Sequence, residues 1–323
     1  MLEKAPLKFH PYLKTVIWGG EKICEYKGIE SAGPTIGESW EISMVPGHES
    51  IVATGTYEGK TIAELINAFS EELLGEKVVK KYGNTFPLLV KLIDANDNLS
   101  VQVHPDDNLA KERHGCQGKT EMWYIIDAEK GATIFAGLCK TMTPEEYRQR
   151  IADNTIMETL ASHSSEPGDV FYLPAGRVHA IGAGNLLAEI QETSDITYRI
   201  YDYDRRDKDG NPRELHTELA VDAIDYKVYD NYKNPHDTEQ EDEITLADCE
   251  HFITKRVLMK GETEFDLDGE SFTILMCITG EGEIEYGKEK MGIKQGETVL
   301  LPATMKKFKV NGVGKLLVAR AGK

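Results

Sequence analysis

No stretch of the chain approaches the roughly 18 consecutive apolar residues that a membrane-spanning helix requires. The opening Met1-Leu2-Glu3-Lys4-Ala5-Pro6 has no apolar segment of the secretory type. Cysteine is scarce, with five residues in 323 and no Cys-x-x-Cys pair, which points to reduced thiols in a cytoplasmic protein. Positive charge is in short supply too. Lys and Arg number 37 against 55 Asp and Glu, for a formal net charge of −18. That balance argues against nucleic acid, anionic membranes and other polyanions as main partners. A phosphorylated small molecule could bind only where a local basic pocket opposes the overall field. What the chain does have is 40% hydrophobic and 28% charged residues, the make-up of a soluble globular protein long enough for two domains of ordinary size.

The chain is organised around Gly168–Ala180. Residues 169–173 read as a short buried strand, Pro174 ends it because proline cannot donate to a sheet ladder, and Gly176 permits a tight turn. His179 opens the next strand, so a hairpin is expected to place its imidazole at the mouth of a β-structure. The spacing Gly-x5-Pro-x-Gly-x2-His resembles a signature of the cupins, small β-barrels that carry a metal inside. Upstream, Ser100-Val101-Gln102-Val103-His104 alternates strictly, so Gln102 and His104 share one strand face. Glu121 stands in the apolar run Thr120–Ile126, where a lone carboxylate would be costly to bury without a cation. Gln102, His104, Glu121 and His179 thus form one candidate metal-ligand set of two nitrogens and two oxygens.

These residues, taken with their neighbours, carry a wider likeness. Gln-x-His-Pro at 102–105, Lys-Thr-Glu-Met-Trp at 119–123, Pro-Ala-Gly-x-x-His-Ala at 174–180 and Glu-Ile-Gln-Glu-Thr-Ser-Asp-Ile-Thr-Tyr-Arg at 189–199 resemble the type I mannose-6-phosphate isomerases in their short bacterial form. Only 16 residues separate His104 from Glu121, which leaves no room for the helical domain of longer members. The resemblance implies a mainly β protein of two cupin-like jelly-roll barrels with a few short helices. It also implies one zinc ion per chain and interconversion of mannose 6-phosphate and fructose 6-phosphate through a cis-enediol. Ligand type alone leaves iron, manganese and cobalt open.

Isomerisation calls for an electrophile, a proton-shuttling base and an anchor for the phosphate. Lys119, two residues before Glu121 and on its strand face, is one base candidate, since a nearby dication lowers a lysine's proton affinity. Glu189 and a metal-bound hydroxide are the others, and the sequence does not choose among them. Arg199, always charged, suits an oxyanion or phosphate, with Lys91 as its companion; both also read as structural, Arg199 as a barrel-end salt bridge and Lys91 as a lysine whose stem snorkels out of a buried strand. Trp18 and Trp40 read first as core tryptophans, although the resemblance places Trp18 near the sugar.

Along the rest of the chain, β-type runs are expected at 16–18, 39–45 and 50–54. A capped amphipathic helix begins at Thr61, breaks near Gly75 and resumes to about Tyr82. Residues 86–95 form a buried strand, and 105–119 a short helix and loop. Thr143-Pro144-Glu145-Glu146 starts another helix, and 186–199 holds two strands. Residues 213–227 look helical, and the acidic, aperiodic stretch 230–243 with Pro235 reads as a linker. It divides a metal-binding catalytic domain, 1–235, from a degenerate metal-free cupin domain, 236–323. Gly296–Lys307 repeats Gly168–His179 position by position, with Lys307 where His179 stands; strands are expected at 273–279, 282–286 and 316–319.

Two other classes compete with the isomerase: an iron-dependent cupin dioxygenase, which usually needs three histidines, and a non-catalytic sugar-binding cupin. The chain is expected to be cytoplasmic, to bind a sugar phosphate, and to be a monomer or a weak homo-oligomer.

Overall fold

The computed structural model describes residues 1–30, 33, 35–206, 209–234, 237 and 240–323. Its strands form three antiparallel sheets, and among the described residues none closes into a barrel. The central sheet has six strands in the order Val170–Leu173, Glu121–Ala128, Asn185–Glu192, Leu88–Ala95, Ile36–Ile42 and Tyr12–Gly20. A five-stranded sheet faces it, ordered Tyr198–Tyr201, Val101–Val103, His179–Ile181, Thr133–Leu138 and Leu160–Ser164. An eight-stranded sheet, built mostly from residues beyond 242, lies behind it.

The central sheet is therefore buried on both faces, and its strands show it. Every residue of Ile36–Ile42, Leu88–Ala95 and Asn185–Glu192 is buried, the near-continuous apolar pattern of an interior sheet. Period-2 alternation sends Val90 and Leu92 backward into a core shared with Ile274, Met276 and Leu300 of the eight-stranded sheet. Lys91, Ile93 and Ala95 point forward, the last two into a second core with Trp123, Ile134 and Phe171. The helices Asp107–His114, Pro144–Ala152 and Thr217–Ala223 cover the outer face of the five-stranded sheet.

The helix Ile62–Leu74 begins as its sequence predicts: Thr61 and Glu64 exchange both hydrogen bonds of a capping box. Its second part, Glu76–Tyr82, follows Gly75 as expected. Thr143 and Glu146 form the same box at Pro144–Ala152.

Four expectations are corrected. Residues 170–181 are not a hairpin: Val170–Leu173 pairs in the central sheet, whereas His179–Ile181 pairs in the facing one. Pro174 ends the first ladder, and Gly176, at φ 89°, turns the chain across the gap while its N–H donates to the His104 carbonyl. Residues 273–286 are one strand, not two, because Gly280 and Gly282 stand opposite Gly314 and Gly312, where the paired backbones approach too closely for a Cβ. The last strand likewise runs from Lys307 to Ala321, well beyond 316–319. The helix expected over 213–227 shrinks to Thr217–Ala223, since 213–216 are held out of the helix: the Glu214 carbonyl accepts from Arg199 Nη1 and His216 Nδ1 from the Arg199 N–H.

The segment read as a linker is tied down where it is described; Pro235 and the boundary at 235/236 lie outside the described residues. Tyr232 is buried and donates to the Leu138 carbonyl at 2.8 Å. Asp237 accepts from Arg256 Nε at 2.8 Å and from the Tyr124 hydroxyl at 3.0 Å, so one carboxylate joins this segment to both the central and the eight-stranded sheet. Arg256 is only 1% exposed. Removing one member of a buried pair strands the other's charge, so Arg256→Ala should lower unfolding free energy by about 3–5 kcal/mol in urea titrations. A loss below about 1 kcal/mol would show that this junction is dispensable.

Candidate active site

The two facing sheets bring the four candidate ligands together from opposite sides. Gln102 stands in register with His179 on one neighbour and with Arg199 on the other. His104 follows one residue past that strand, while Glu121 opens its strand in the central sheet. The ring nitrogens and carboxylate oxygens of His104, Glu121 and His179 lie within 4.8 Å of one another. His179 Nε2 is 3.2 Å from Glu121 Oε1 and 3.2 Å from the Gln102 amide nitrogen, and His104 Nε2 is 3.5 Å from Glu121 Oε2.

The donor chemistry fits a cation. His104 Nδ1 faces the Ile196 carbonyl at 2.9 Å and His179 Nδ1 faces the Arg177 carbonyl at 2.8 Å. Each Nδ1 therefore carries the proton and donates, which leaves both Nε2 lone pairs aimed inward. Burial, reinforced by the Lys119 ammonium, holds both imidazoles neutral: His179 is lowered to about 3 and His104 well below its usual value. Glu121 is wholly buried, and neither of its oxygens accepts a well-aligned hydrogen bond. Burial and the nearby Glu189 raise its pKa to about 7, against the pull of Lys119. Lys119 Nζ sits 2.9 Å from Glu121 Oε2 and 3.1 Å from His104 Nε2, meeting these lone pairs with positive charge as a metal ion would.

A second charged layer continues the pocket along the central sheet. Lys91 and Glu189 are cross-strand partners, and Lys91 Nζ donates to Glu189 Oε1 at 3.0 Å. Trp123 Nε1 donates to the other Glu189 oxygen at 2.7 Å, and Trp40 Nε1 to Glu38 Oε2 at 2.6 Å. Burial alone would raise Glu189, but Lys91 and Lys119 outweigh it and hold the carboxyl at about 2. Burial likewise pulls Lys91 down, and Glu189 with Glu38 more than reverses it.

These groups line a cavity of about 390 Å³ that also includes Trp18, Gln102, Asp195, Arg199 and Arg213. Of the residues singled out in the sequence, Lys91, Gln102, Lys119, Glu189, Arg199 and Trp18 line the cavity, and His104, Glu121 and His179 adjoin it through their contacts with Gln102 and Lys119. Trp18 lines this cavity and belongs to the apolar core behind it. Lys91 does not snorkel; it ends inside, 6% exposed. Trp40, which reads from sequence as a core residue, also lines the cavity, and so do Glu38 and Arg213, which the sequence does not single out. Glu38 and Trp40 alternate on one face of a strand buried throughout, and an acid there, as at Glu121, signals a buried cation. Arg213 gave no such signal, because it lies in a stretch that reads as helix.

Comparison with known proteins agrees with this geometry. The profile of the phosphomannose isomerase type I catalytic domain matches residues 7–149, and that of the mannose-6-phosphate isomerase cupin domain matches 242–321. The chain is 37% identical over 317 residues to a mannose-6-phosphate isomerase of Bacillus subtilis, covering 97% of this chain and 98% of that one. A mannose-6-phosphate isomerase of Streptococcus mutans is 36% identical, with 95% of each chain covered. A crystal structure of the Bacillus subtilis mannose 6-phosphate isomerase superimposes with a TM-score of 0.89 at 37% identity, over 98% of this chain and 99% of that one.

The titration of Glu121 sets how a metal should bind. A carboxylate must be ionised to ligate, and here it holds its proton up to about pH 7. Zinc affinity should therefore rise with pH through the range in which Glu121 gives up its proton, with a proton released on binding at the lower pH. His179, neutral down to about pH 3, adds no further release. Calorimetric titration near pH 6 and pH 8, in buffers of different ionisation enthalpy, measures both quantities; a flat affinity between them would contradict the Glu121 assignment.

Proposed function

Because the chain belongs to the type I mannose-6-phosphate isomerases, and so interconverts mannose 6-phosphate and fructose 6-phosphate, we propose that Gln102, His104, Glu121 and His179 hold one zinc ion per chain and that the reaction runs in the cavity beside them. The observation that carries the reading is the convergence of two neutral imidazole Nε2 atoms and a buried carboxylate within 4.8 Å. With the Gln102 amide turned to offer its oxygen, that set of nitrogen and oxygen donors suits zinc. When bound, zinc supplies a Lewis acid for the sugar's C1 and C2 oxygens.

The protein's own groups then have distinct tasks. In forming fructose 6-phosphate, a proton leaves C2 and one arrives at C1, while the O2 hydroxyl becomes the carbonyl and the C1 carbonyl oxygen becomes a hydroxyl. Lys119, in contact with two of the ligands, is placed to carry the carbon-bound proton. Glu189, with its low proton affinity and both oxygens occupied by Lys91 and Trp123, is the weaker base and instead fixes Lys91 against the substrate. Arg199, in register with Gln102, faces the charge that develops on the enediolate. Trp18 gives the sugar an apolar wall.

The same reading extends to the architecture. Gly168–His179 and Gly296–Lys307 are taken as matching parts of two jelly rolls, a catalytic unit over 1–235 and a metal-free one over 236–323. In support, each stretch forms a strand, a proline-bearing turn and a second strand start. Lys307 points to solvent, 3.0 Å from Asp266. Cytoplasmic residence and a monomeric or weakly associating state complete the proposal; five unpaired thiols suit a reducing compartment.

Metal analysis with a coupled assay for fructose 6-phosphate tests it. One zinc per chain is expected, removable by chelator with loss of turnover, and His104→Ala and His179→Ala should each lose it. Full occupancy in both variants, or a second metal within 236–323, would refute the assignment. Arg199→Ala should keep its zinc yet cost on the order of 2–4 kcal/mol in kcat/KM.

A further inference from the structure

The strand that carries Glu121 begins at that residue, so Lys119 and Thr120 lie just outside the ladders of the central sheet. Lys119 Nζ nevertheless ends 2.9 Å from Glu121 and 3.1 Å from His104, and both distances depend on how the backbone enters the strand. That entry is held from behind. Glu192, the last residue of the neighbouring strand, donates its N–H to the Thr120 carbonyl at 3.1 Å and accepts the Thr120 N–H on Oε2 at 2.7 Å. The two peptide units fixed in this way are the ones that join Thr120 to Lys119 and to Glu121. Two residues earlier, the Gly118 N–H donates to Asp107 Oδ1 at 2.8 Å.

A third residue completes the bracket, and it comes from the rear sheet. His251 stands in the turn between Glu243–Asp248 and Phe252–Asp266, with Nδ1 2.9 Å from Glu192 Oε1. The Gly322 N–H donates to the His251 carbonyl at 2.9 Å and fixes that turn. A donor atom from each of Asp107, Glu192 and His251 lies within 4.8 Å of the others. Glu192 is only 2% exposed, and its Oε1 accepts no well-aligned hydrogen bond, so the imidazole is what meets its charge there. Burial alone would lower the His251 pKa, but Glu192, with Asp107 and Glu250 nearby, reverses this and raises it. The surroundings thus favour an imidazolium between the two carboxylates that hold residues 118–120, where it offsets their repulsion.

We propose that His251 is a positioning residue for the isomerisation: acting through Glu192, it sets the Lys119–Glu121 segment so that the lysine meets the reacting carbons and the carboxylate meets the metal. Neither His251 nor Glu192 lines the cavity, so a change at either reaches the reaction only through the backbone between them. The assignment rests on the isomerase reading and deepens it, because it gives the rear sheet a part in the chemistry besides cover.

Steady-state kinetics of the zinc-loaded enzyme and calorimetric zinc titration of the metal-free protein test it together. His251→Gln, which withdraws the charge from behind Glu192, should lower kcat about tenfold, leave KM for mannose 6-phosphate within about twofold, and weaken zinc binding about tenfold. Its melting temperature, compared with the wild type, reports whether it is folded. Glu192→Gln should do the same, and adding His251→Gln to it should cost nothing more, since one residue acts through the other. A folded His251→Gln protein with kcat and zinc affinity within about twofold of wild type would overturn the proposal. So would losses that multiply in the double variant, the mark of two separate structural contributions. Should His251→Gln not fold, a folded Glu192→Gln protein with unchanged kcat and zinc affinity would overturn it equally. A wild type that binds zinc without turning over mannose 6-phosphate would instead overturn the isomerase reading, and the zinc affinities alone would then decide whether His251 sets Glu121.

Discussion

Lys91 and Glu189 stand opposite each other on neighbouring strands, 3.0 Å apart and almost out of reach of water. Neither charge could remain there alone, since an unpaired buried ion costs several kcal/mol. Each is met again by a neighbour: Glu38 at 3.7 Å from Lys91, and the Trp123 N–H on Glu189. This network lets a sheet with an apolar back present charge at its front. It also explains why two buried carboxylates in one site behave oppositely. Lys91 sides with Glu189 and keeps it ionised, whereas Glu121 lies nearer the His104 and His179 rings and is pushed toward its protonated form by burial and by Glu189 itself.

The parts of this site that could be read from sequence lie on a single strand or within two residues of its end. Period-2 alternation is enough to place Gln102 beside His104, and Lys119 beside Glu121, because both pairs are set by local geometry. What could not be read depends on which strands meet. The 170–181 segment looks like a hairpin because strand, proline, glycine and strand follow one another; only the rest of the fold decides that its two arms join different sheets. Arg213 was hidden for a similar reason. Its stretch has helical composition, and its departure from helix comes from contacts with Asp202 and Arg199 made across the fold. The long strands 273–286 and 307–321 read as shorter because glycines interrupt them, and those glycines are there because the two backbones approach closely.

The eight-stranded sheet contributes none of the proposed ligands, yet the site depends on it. Val90, Leu92 and Ile190 of the central sheet pack against Ile274, Leu300 and Leu317. Without that cover the back of the catalytic sheet would be wet, and each large apolar side chain exposed there would forfeit about 1.5–3 kcal/mol. The Asp237–Arg256–Tyr124 junction fastens the same two layers through polar contacts. The eight-stranded sheet thus serves the site through the face that it covers.

The strand Leu7–His10 belongs to that rear sheet and not to the layers that follow it in sequence. Leu7 pairs with Leu300 and Lys8 with Val299. On a ribosome the partner strand emerges about 290 residues after the first one. At roughly 5–20 residues per second, the wait is on the order of 15–60 s. During that time the amino-terminal strand has only the two-residue Ile51–Val52 strand beside it. Its own apolar side chains, Leu7 and Phe9, remain without their final cover. The nascent chain therefore carries an unfinished sheet edge through most of its synthesis, and that edge is where a chaperone, or a neighbouring nascent copy, would find it first.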